Sequence, residues 1–150
     1  MTTQAHSGTA RLSRRTVVVL TLTAAAIVAA VANTIVAIAA LAAGANPAFS
    51  PLMLEVYGPF TVLGLVAGYV GWRIARRSSR ALELLRVLVP VLLVLSLIPD
   101  TVSLLLGFIP GTTVTGFIAL MIMHPIVVAV GVPVYQRLAP VRRGAARSVR

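Results

Sequence analysis

The chain has 150 residues, of which 59% are hydrophobic and 11% are charged, and its mean hydropathy is +1.00. Roughly a quarter of the residues of a soluble domain are charged, because its surface contacts water, so this composition excludes an ordinary soluble globular protein. The chain has no cysteine, which excludes disulfide bonds, thiolate-bound metals and a cysteine nucleophile. We therefore expect an integral membrane protein.

The distribution of the net charge of +10 argues against nucleic-acid binding, which such a charge would suggest in a soluble protein. All thirteen basic residues are arginines, and two long apolar stretches, 16–72 and 87–136, separate them into three clusters. The clusters are Arg11, Arg14 and Arg15; Arg73, Arg76, Arg77, Arg80 and Arg86; and Arg137, Arg142, Arg143, Arg147 and Arg150. Arginines placed in this way indicate membrane topology.

Each apolar stretch is long enough to cross a bilayer twice, because one transmembrane helix needs about 20 apolar residues. In chain order the predicted spans are at about 16–43, 52–74, 87–107 and 114–135. Residues 44–51 (GANPAFSP) and 108–113 (FIPGTT) have the composition of turns, and the basic segment 73–86 joins the two hairpins. The sequence predicts an all-α, four-helix transmembrane bundle over 14–138, with a disordered tail at 1–13 and a basic tail at 139–150.

The arginines also predict the orientation of the bundle. Arginine in short loops is retained on the cytoplasmic side of a membrane, and the two turns at 44–51 and 108–113 have none. Both termini are therefore expected in the cytoplasm, with the protein in the plasma membrane. The same clusters should attract anionic lipid headgroups.

The first span has a second interpretation. Residues 11–15, the apolar run and the small residues at 30–32 have the layout of a secretory signal peptide and its cleavage site. The apolar region of a signal peptide is about 7–15 residues long, whereas this run continues to Ala43. The sequence favours retention of the span, and cleavage stays the alternative.

Small residues at helical spacing mark the faces on which transmembrane helices approach closely. In the second span Gly64, Gly68 and Gly71 follow one another at steps of four and three, and in the first span alanines flank Asn33 at similar steps. We expect these two faces to pack against each other. Asn33 is expected to form an interhelical hydrogen bond.

The third span has a polar face, formed by Ser96, Asp100 and Ser103 at steps of four and three. An ionised carboxylate inside the hydrocarbon costs on the order of 2.5–3.5 kcal/mol, so Asp100 should face protein or water, or be protonated. His124 in the fourth span lies at nearly the same depth, within roughly 4–5 Å along the helix axes. The two side chains are therefore expected to be close enough to interact.

A proline adjoins each of these residues, with Pro99 before Asp100 and Pro125 after His124. Proline removes one helical hydrogen bond and tends to kink the helix. The carbonyl that it frees needs a donor, a cation or water at membrane depth. Asp100, His124, Ser96, Ser103 and Asn33 form the candidate intramembrane polar site. Asp100 and His124 either form a structural hydrogen bond or act as a proton- or ion-linked pair.

The segments 96–100 (SLIPD) and 119–124 (ALMIMH), within this four-span layout, resemble an actinobacterial family of small membrane proteins that is catalogued as a domain of unknown function. The resemblance covers about 14–138. It implies the four-span topology and marks Asp100 and His124 as positions of interest, and it implies no activity.

Two functional classes fit these features. The first is a non-enzymatic accessory or partner-binding membrane subunit, and the second is a small proton- or cation-linked carrier that uses Asp100 and His124. No phosphate-binding glycine loop and no pair of histidines at metal-ligand spacing is present in the sequence, so we expect no enzymatic activity, metal or cofactor. The expected partners are the lipid bilayer and a second copy or another membrane protein, and not nucleic acid.

The predicted topology can be tested in intact cells, because the natural chain has no cysteine. Single cysteines placed at Ala48, Ser79, Thr112 and Ser148 are expected to react with a membrane-impermeant maleimide only at Ala48 and Thr112. The arginine-bearing segments should stay on the protected side. Labelling at Ser79 would overturn a four-span topology with both ends inside.

Overall fold

The computed structural model describes residues 13–141 and contains helices and turns, without strands, over that range. Its helices are α1 (Arg14–Ala42), α2 (Leu54–Ala75), α3 (Ala81–Ser96), α4 (Ile98–Leu106) and α5 (Val114–Leu138), with a 3₁₀ turn at Ser50–Leu52. Four helical segments are long and apolar enough to cross a membrane, and α3 and α4 together form the third. The predicted all-α, four-span fold is confirmed. The tails 1–12 and 142–150, including Arg142 and Arg143, lie outside the described residues.

Hydroxyl side chains fix the start of the first and last helices. The Ser13 hydroxyl accepts a hydrogen bond from the Thr16 N–H at 3.1 Å, and the Thr113 hydroxyl accepts one from the Gly116 N–H at 3.1 Å. Each bond satisfies one of the amide groups that a helix leaves free in its first turn. These two helices therefore begin close to the predicted boundaries.

The third span differs most from its prediction, because it begins at Ala81 rather than near residue 87. Arg73 lies in the last turn of α2 and Arg86 lies within α3, so the connection between them shortens to residues 76–80. Residues 81–86 (ALELLR) are strong helix formers. An arginine near the end of a span can extend its side chain to the headgroups, so the helix continues through the charged segment.

The third span is also interrupted, at Leu97, where α3 ends and α4 follows. The Ser96 hydroxyl donates to the Leu93 carbonyl at 2.7 Å, which is the acceptor that the Leu97 N–H would use in an α-helix. That N–H bonds instead to the carbonyl three residues before it, at 3.1 Å. Pro99 has no N–H, so the Leu95 carbonyl lacks its usual donor. The disruption predicted at Pro99 is therefore present as a break between two helices.

At the second proline α5 continues as one helix through Pro125, so no break like that at Leu97 divides it. Buried residues lie on both sides of this position, with Leu120 and Met123 before it and Gly131 and Tyr135 after it. These residues hold both halves of α5 against the bundle. The packing outweighs the loss of one helical hydrogen bond.

Helices α1, α2 and α5 form the core of the bundle, and the third span lies beside α5. α1 makes its most extensive contact with α5 rather than with α2, its hairpin neighbour. One buried cluster lies at the end where α1 begins and α5 ends, which we call the arginine end, and a second lies at the opposite, loop end. The first cluster includes Ala25, Ala29, Leu65, Tyr69, Trp72, Leu85 and Tyr135, and the second includes Ala37, Ala40, Phe49, Leu52, Tyr57, Ala119, Leu120 and Met123.

Gly64 and Gly68 of α2 approach α5, whereas the contact of α2 with α1 includes Thr61, which lies one turn before Gly64 and bonds to Asn33. The predicted packing of α1 against α2 is therefore present, and the two glycines pack against a different helix. A Cβ atom added at Gly68 would lie 2.7 Å from the Tyr135 hydroxyl, and one added at Gly64 would lie 3.6 Å from Val127. No atom lies within 4 Å of such a Cβ at Gly71. The predicted packing role is confirmed for Gly68, Gly64 lies at ordinary contact distance, and the prediction for Gly71 is wrong.

Gly68 is needed because a large side chain of α5 crosses α2 at this point. The Tyr135 hydroxyl donates to the Leu65 carbonyl at 2.8 Å, and the Trp72 indole N–H donates to the Ala139 carbonyl at 3.0 Å. Both bonds join α2 to α5 where water is excluded, and each satisfies the polar end of an aromatic side chain. Trp72 is 5% exposed and lies inside the bundle.

The loop end is closed by Phe49, which is 2% exposed. Its ring lies against Gly116, where an added Cβ would be 2.7 Å away. Gly111 has a φ of +77°, and a Cβ there would lie 3.0 Å from the Phe49 nitrogen, so both the backbone conformation and the close approach require glycine. The segment 44–51, predicted as a surface turn, therefore contributes to the core.

We expect Gly68→Ala to destabilise the protein in detergent by about 1–3 kcal/mol, because the added methyl group forces the hydrogen-bonded Tyr135 ring to move. The measurement is the thermal unfolding midpoint of the purified protein. Gly71→Ala is the matched control, since it adds the same group to the same helix where no atom lies within 4 Å.

The control variant should be neutral or should gain up to about 1 kcal/mol, because alanine has the higher helix propensity. Equal midpoints for the two variants would contradict the assigned α2–α5 contact.

Candidate functional site

The predicted site residue Asn33 joins α1 to α2. It is 2% exposed, and its side-chain N–H donates to the Thr61 hydroxyl at 3.1 Å, which confirms the expected interhelical hydrogen bond. One residue further along, Thr34 donates to the Ala30 carbonyl at 2.8 Å, so the Tyr57 hydroxyl, 2.6 Å away, donates to Thr34. These residues form a polar contact within the first hairpin. The Tyr57–Thr34 bond was not foreseen, because neither residue stands out by spacing or charge.

Asp100 and His124 lie close together, as the sequence predicts. The His124 Nδ1 atom is 3.5 Å from the Asp100 Oδ2 atom. The same Nδ1 atom is 2.8 Å from the Leu120 carbonyl oxygen, and a carbonyl cannot donate, so Nδ1 carries the hydrogen. The hydrogen bond is thus made within α5, while Asp100 lies next to it at ion-pair distance and its buried Oδ2 atom has no hydrogen-bond partner.

The helix break positions Asp100 for this contact. Because α3 ends at Ser96, Asp100 falls in the first turn of the new helix α4. Pro99 therefore interrupts the third span next to Asp100, and Asp100 lies at the start of the segment that follows the break.

The two predicted serines have different roles. Ser96 directs its hydroxyl to the Leu93 carbonyl of its own helix, so it belongs to the break rather than to the site. Ser103 lies one turn after Asp100, is 4% exposed, and has no hydrogen-bond partner for its hydroxyl within residues 13–141. The contact that the structure shows at the site is that of Asp100 with His124, and Ser103 lies one turn further along α4 without a bond to either. Asn33 bonds to Thr61 instead.

The site lies at the side of the bundle, between α4 and α5, rather than in its core. The side chains of His124 and Asp100 are 30% and 21% exposed. Two cavities, of about 400 and 280 Å³, lie at the arginine end and on the outer face of α3, and neither is lined by these residues. In the described part of the chain no three His, Asp or Glu side chains converge as metal ligands. The arrangement can hold a proton or accept a hydrogen bond.

The four apolar helices and the polar pair within them define this chain as a multi-pass helical membrane protein. Comparisons with protein-family models, curated proteins and solved structures found no match. The resemblance to the actinobacterial four-span family therefore stays a prediction.

The contact between Asp100 and His124 predicts energetic coupling. Asp100→Asn and His124→Gln should each destabilise the protein by about 1–3 kcal/mol, because each leaves a polar partner without its interaction in a low dielectric. The double variant should lose less than the sum, with a coupling of at least about 0.5 kcal/mol. Chemical denaturation in detergent micelles measures all four proteins of the cycle.

The matched control pairs His124→Gln with Glu55→Gln, which removes a carboxylate in the first turn of α2. These two changes should be additive. Additive behaviour of the Asp100 and His124 variants as well would show that their side chains do not interact.

Proposed function

We propose that this protein is a non-enzymatic membrane subunit whose third span binds a partner. The observation that supports this proposal is the exposure of that span. Of its apolar stretch, 11% is buried, compared with 28% for α1 and 22% for α2 and α5. A span that packs so little within its own bundle is available to another transmembrane helix.

Lipid is a suitable environment for the apolar side chains of this face, such as Val94, 63% exposed, and Leu95, 51% exposed. It is a poor environment for the polar groups beside them. Asp100 is 21% exposed, and its Oδ2 atom has no hydrogen-bond partner within residues 13–141. A polar group without a partner in hydrocarbon costs on the order of several kcal/mol. A partner helix that brings hydrogen-bond donors to this depth would remove that cost.

The charge pattern favours a different protein over a second copy as the occupant. Within 16–72 and 87–136 the charged residues are Glu55 and Asp100. A symmetric pair of copies would place one Asp100 near another, and like charges repel. We therefore propose a partner with an arginine, lysine, asparagine or glutamine at the depth of Asp100, because intramembrane carboxylates pair with donors or cations.

The proposed subunit lies in the plasma membrane with its arginine end in the cytoplasm. The described arginines of the first two clusters support this orientation, since they lie at one end of the bundle and the loop end has none. We also propose that α1 is retained, because it contributes buried alanines to both core clusters.

A proton-linked carrier is the second candidate function, and the 3.5 Å separation of Asp100 and His124 favours it. Intramembrane acid and imidazole groups at such distances are typical of proton relays. A carrier also needs a pathway, and neither of the two cavities includes this pair.

Photocrosslinking tests the partner proposal. A benzophenone amino acid at Val94 is expected to give a discrete crosslinked product in native membranes, and the yield should fall by about tenfold with Asp100→Asn, which corresponds to about 1.4 kcal/mol of lost contact energy. The control is the same probe at Ile27, which is 60% exposed on α1. Equal products at both positions, or no product at Val94, would contradict the proposal, and a product of twice the chain mass would identify a second copy.

A flux assay separates the two candidates. Purified protein in liposomes with a pH-sensitive dye should dissipate no proton gradient if it is a binding subunit. Gradient dissipation that requires both Asp100 and His124 would establish the carrier in its place.

A further inference from the structure

A cavity of about 400 Å³ opens at the arginine end of the bundle, between the α2–α3 connection and the residues that follow α5. Its polar and charged lining residues are Arg76, Ser78, Ser79, Arg80 and Glu83, and Pro140 and Val141 line it from the other segment. Neither of the functions considered above uses this cavity. It combines two guanidinium groups and two hydroxyl groups within one short connection.

The two arginines of the cavity have no acidic partner in the described structure. Over residues 13–141, the only acid–base contact within ion-pair distance is that of Asp100 and His124, which is not part of this cavity. Glu83 lines the cavity too, without an ion pair to Arg76 or Arg80. The positive charge of both guanidinium groups is thus available to an anion.

The backbone adds further donors to the same cavity. The Leu84 N–H makes the first helical bond of α3, to the Arg80 carbonyl at 3.0 Å. Residues 81–83, which line the cavity, come before Leu84. Their N–H groups therefore have no acceptor within the helix. Arg80 is the N-cap residue of α3. Its side chain has no acceptor atom and makes no capping bond. These amides and the partial positive charge of the helix start reinforce the field of the arginines.

We propose that this cavity binds a phosphate group, carried by an anionic lipid headgroup or by a soluble phosphate compound. Guanidinium groups bind phosphate oxygens through paired, charge-assisted hydrogen bonds, and hydroxyl and amide donors complete such a site. Leu82, Pro140 and Val141 give the cavity an apolar wall beside its polar lining, which favours an amphipathic ligand. This site is independent of the partner face on the third span.

The test measures phosphatidylglycerol binding to the full chain in dodecyl maltoside, a detergent without phosphate, by native mass spectrometry. Arg76→Gln combined with Arg80→Gln should weaken binding by about tenfold or more, because both changes remove charge-assisted hydrogen bonds from guanidinium groups to the phosphate. The matched control, Arg14→Gln with Arg15→Gln, removes the same charge from the start of α1, away from the cavity. It should weaken binding by less than about twofold.

A second comparison removes an opposing charge. Glu83→Gln should strengthen phosphatidylglycerol binding, whereas Glu55→Gln, at the loop end of α2, should leave it unchanged. Equal losses from the two arginine pairs, or no effect of Glu83→Gln, would overturn the proposal in favour of diffuse attraction. Competition by inorganic phosphate separates the ligand sources, because displacement of the lipid indicates a soluble phosphate compound and its persistence indicates the headgroup. Unchanged thermal midpoints of the variants exclude unfolding as the cause.

Discussion

The exclusion of water from the interior of the membrane is the constraint on which this structure depends. Without water, each polar group at depth needs a partner within the protein or at its surface. The bundle meets part of this requirement by direct contacts between helices, from the Asn33 side-chain N–H to the Thr61 hydroxyl and from the Tyr135 hydroxyl to the Leu65 carbonyl. The same bonds fix the relative positions of α1, α2 and α5, since apolar burial alone gives transmembrane helices little preference for each other over lipid.

Side-chain size complements these bonds. Gly68 and Gly116 each leave room for a ring, that of Tyr135 at the arginine end and that of Phe49 at the loop end. Each ring then contacts more than one element, so one small residue holds a helix and a distant segment together. The most extensive packing joins α1 and α5, which are far apart in the chain. The buried residues of α1 are four alanines and Asn33, and such small residues permit close approach of helices.

The third span differs from the other three in its burial, its continuity and its charge, and these differences occur close together in the chain. It is the least buried of the four spans, it is broken at Leu97, and it carries Asp100 at the start of the new helix. A break costs hydrogen bonds and an intramembrane carboxylate costs solvation. Asp100 itself packs towards α5, beside His124, whereas apolar residues before the break, such as Val94 and Leu95, form the exposed face on which we propose the partner contact. The proposed phosphate site at residues 76–83 lies at the start of this same span.

The sequence by itself determined the number of spans, the positions of the turns and the proximity of Asp100 to His124. These features follow from the length of apolar runs and from depth along a helix, which are local properties counted in residues. It also indicated the bond of Asn33, since a buried amide in lipid needs a partner. The tertiary structure alone decided which faces meet. Gly64 and Gly68 of α2 pack against α5. The helix that contains Pro125 is continuous, whereas the third span is broken next to Pro99. The physical reason is that small residues permit a close approach without specifying the neighbour, and the effect of a proline depends on the packing on either side of it.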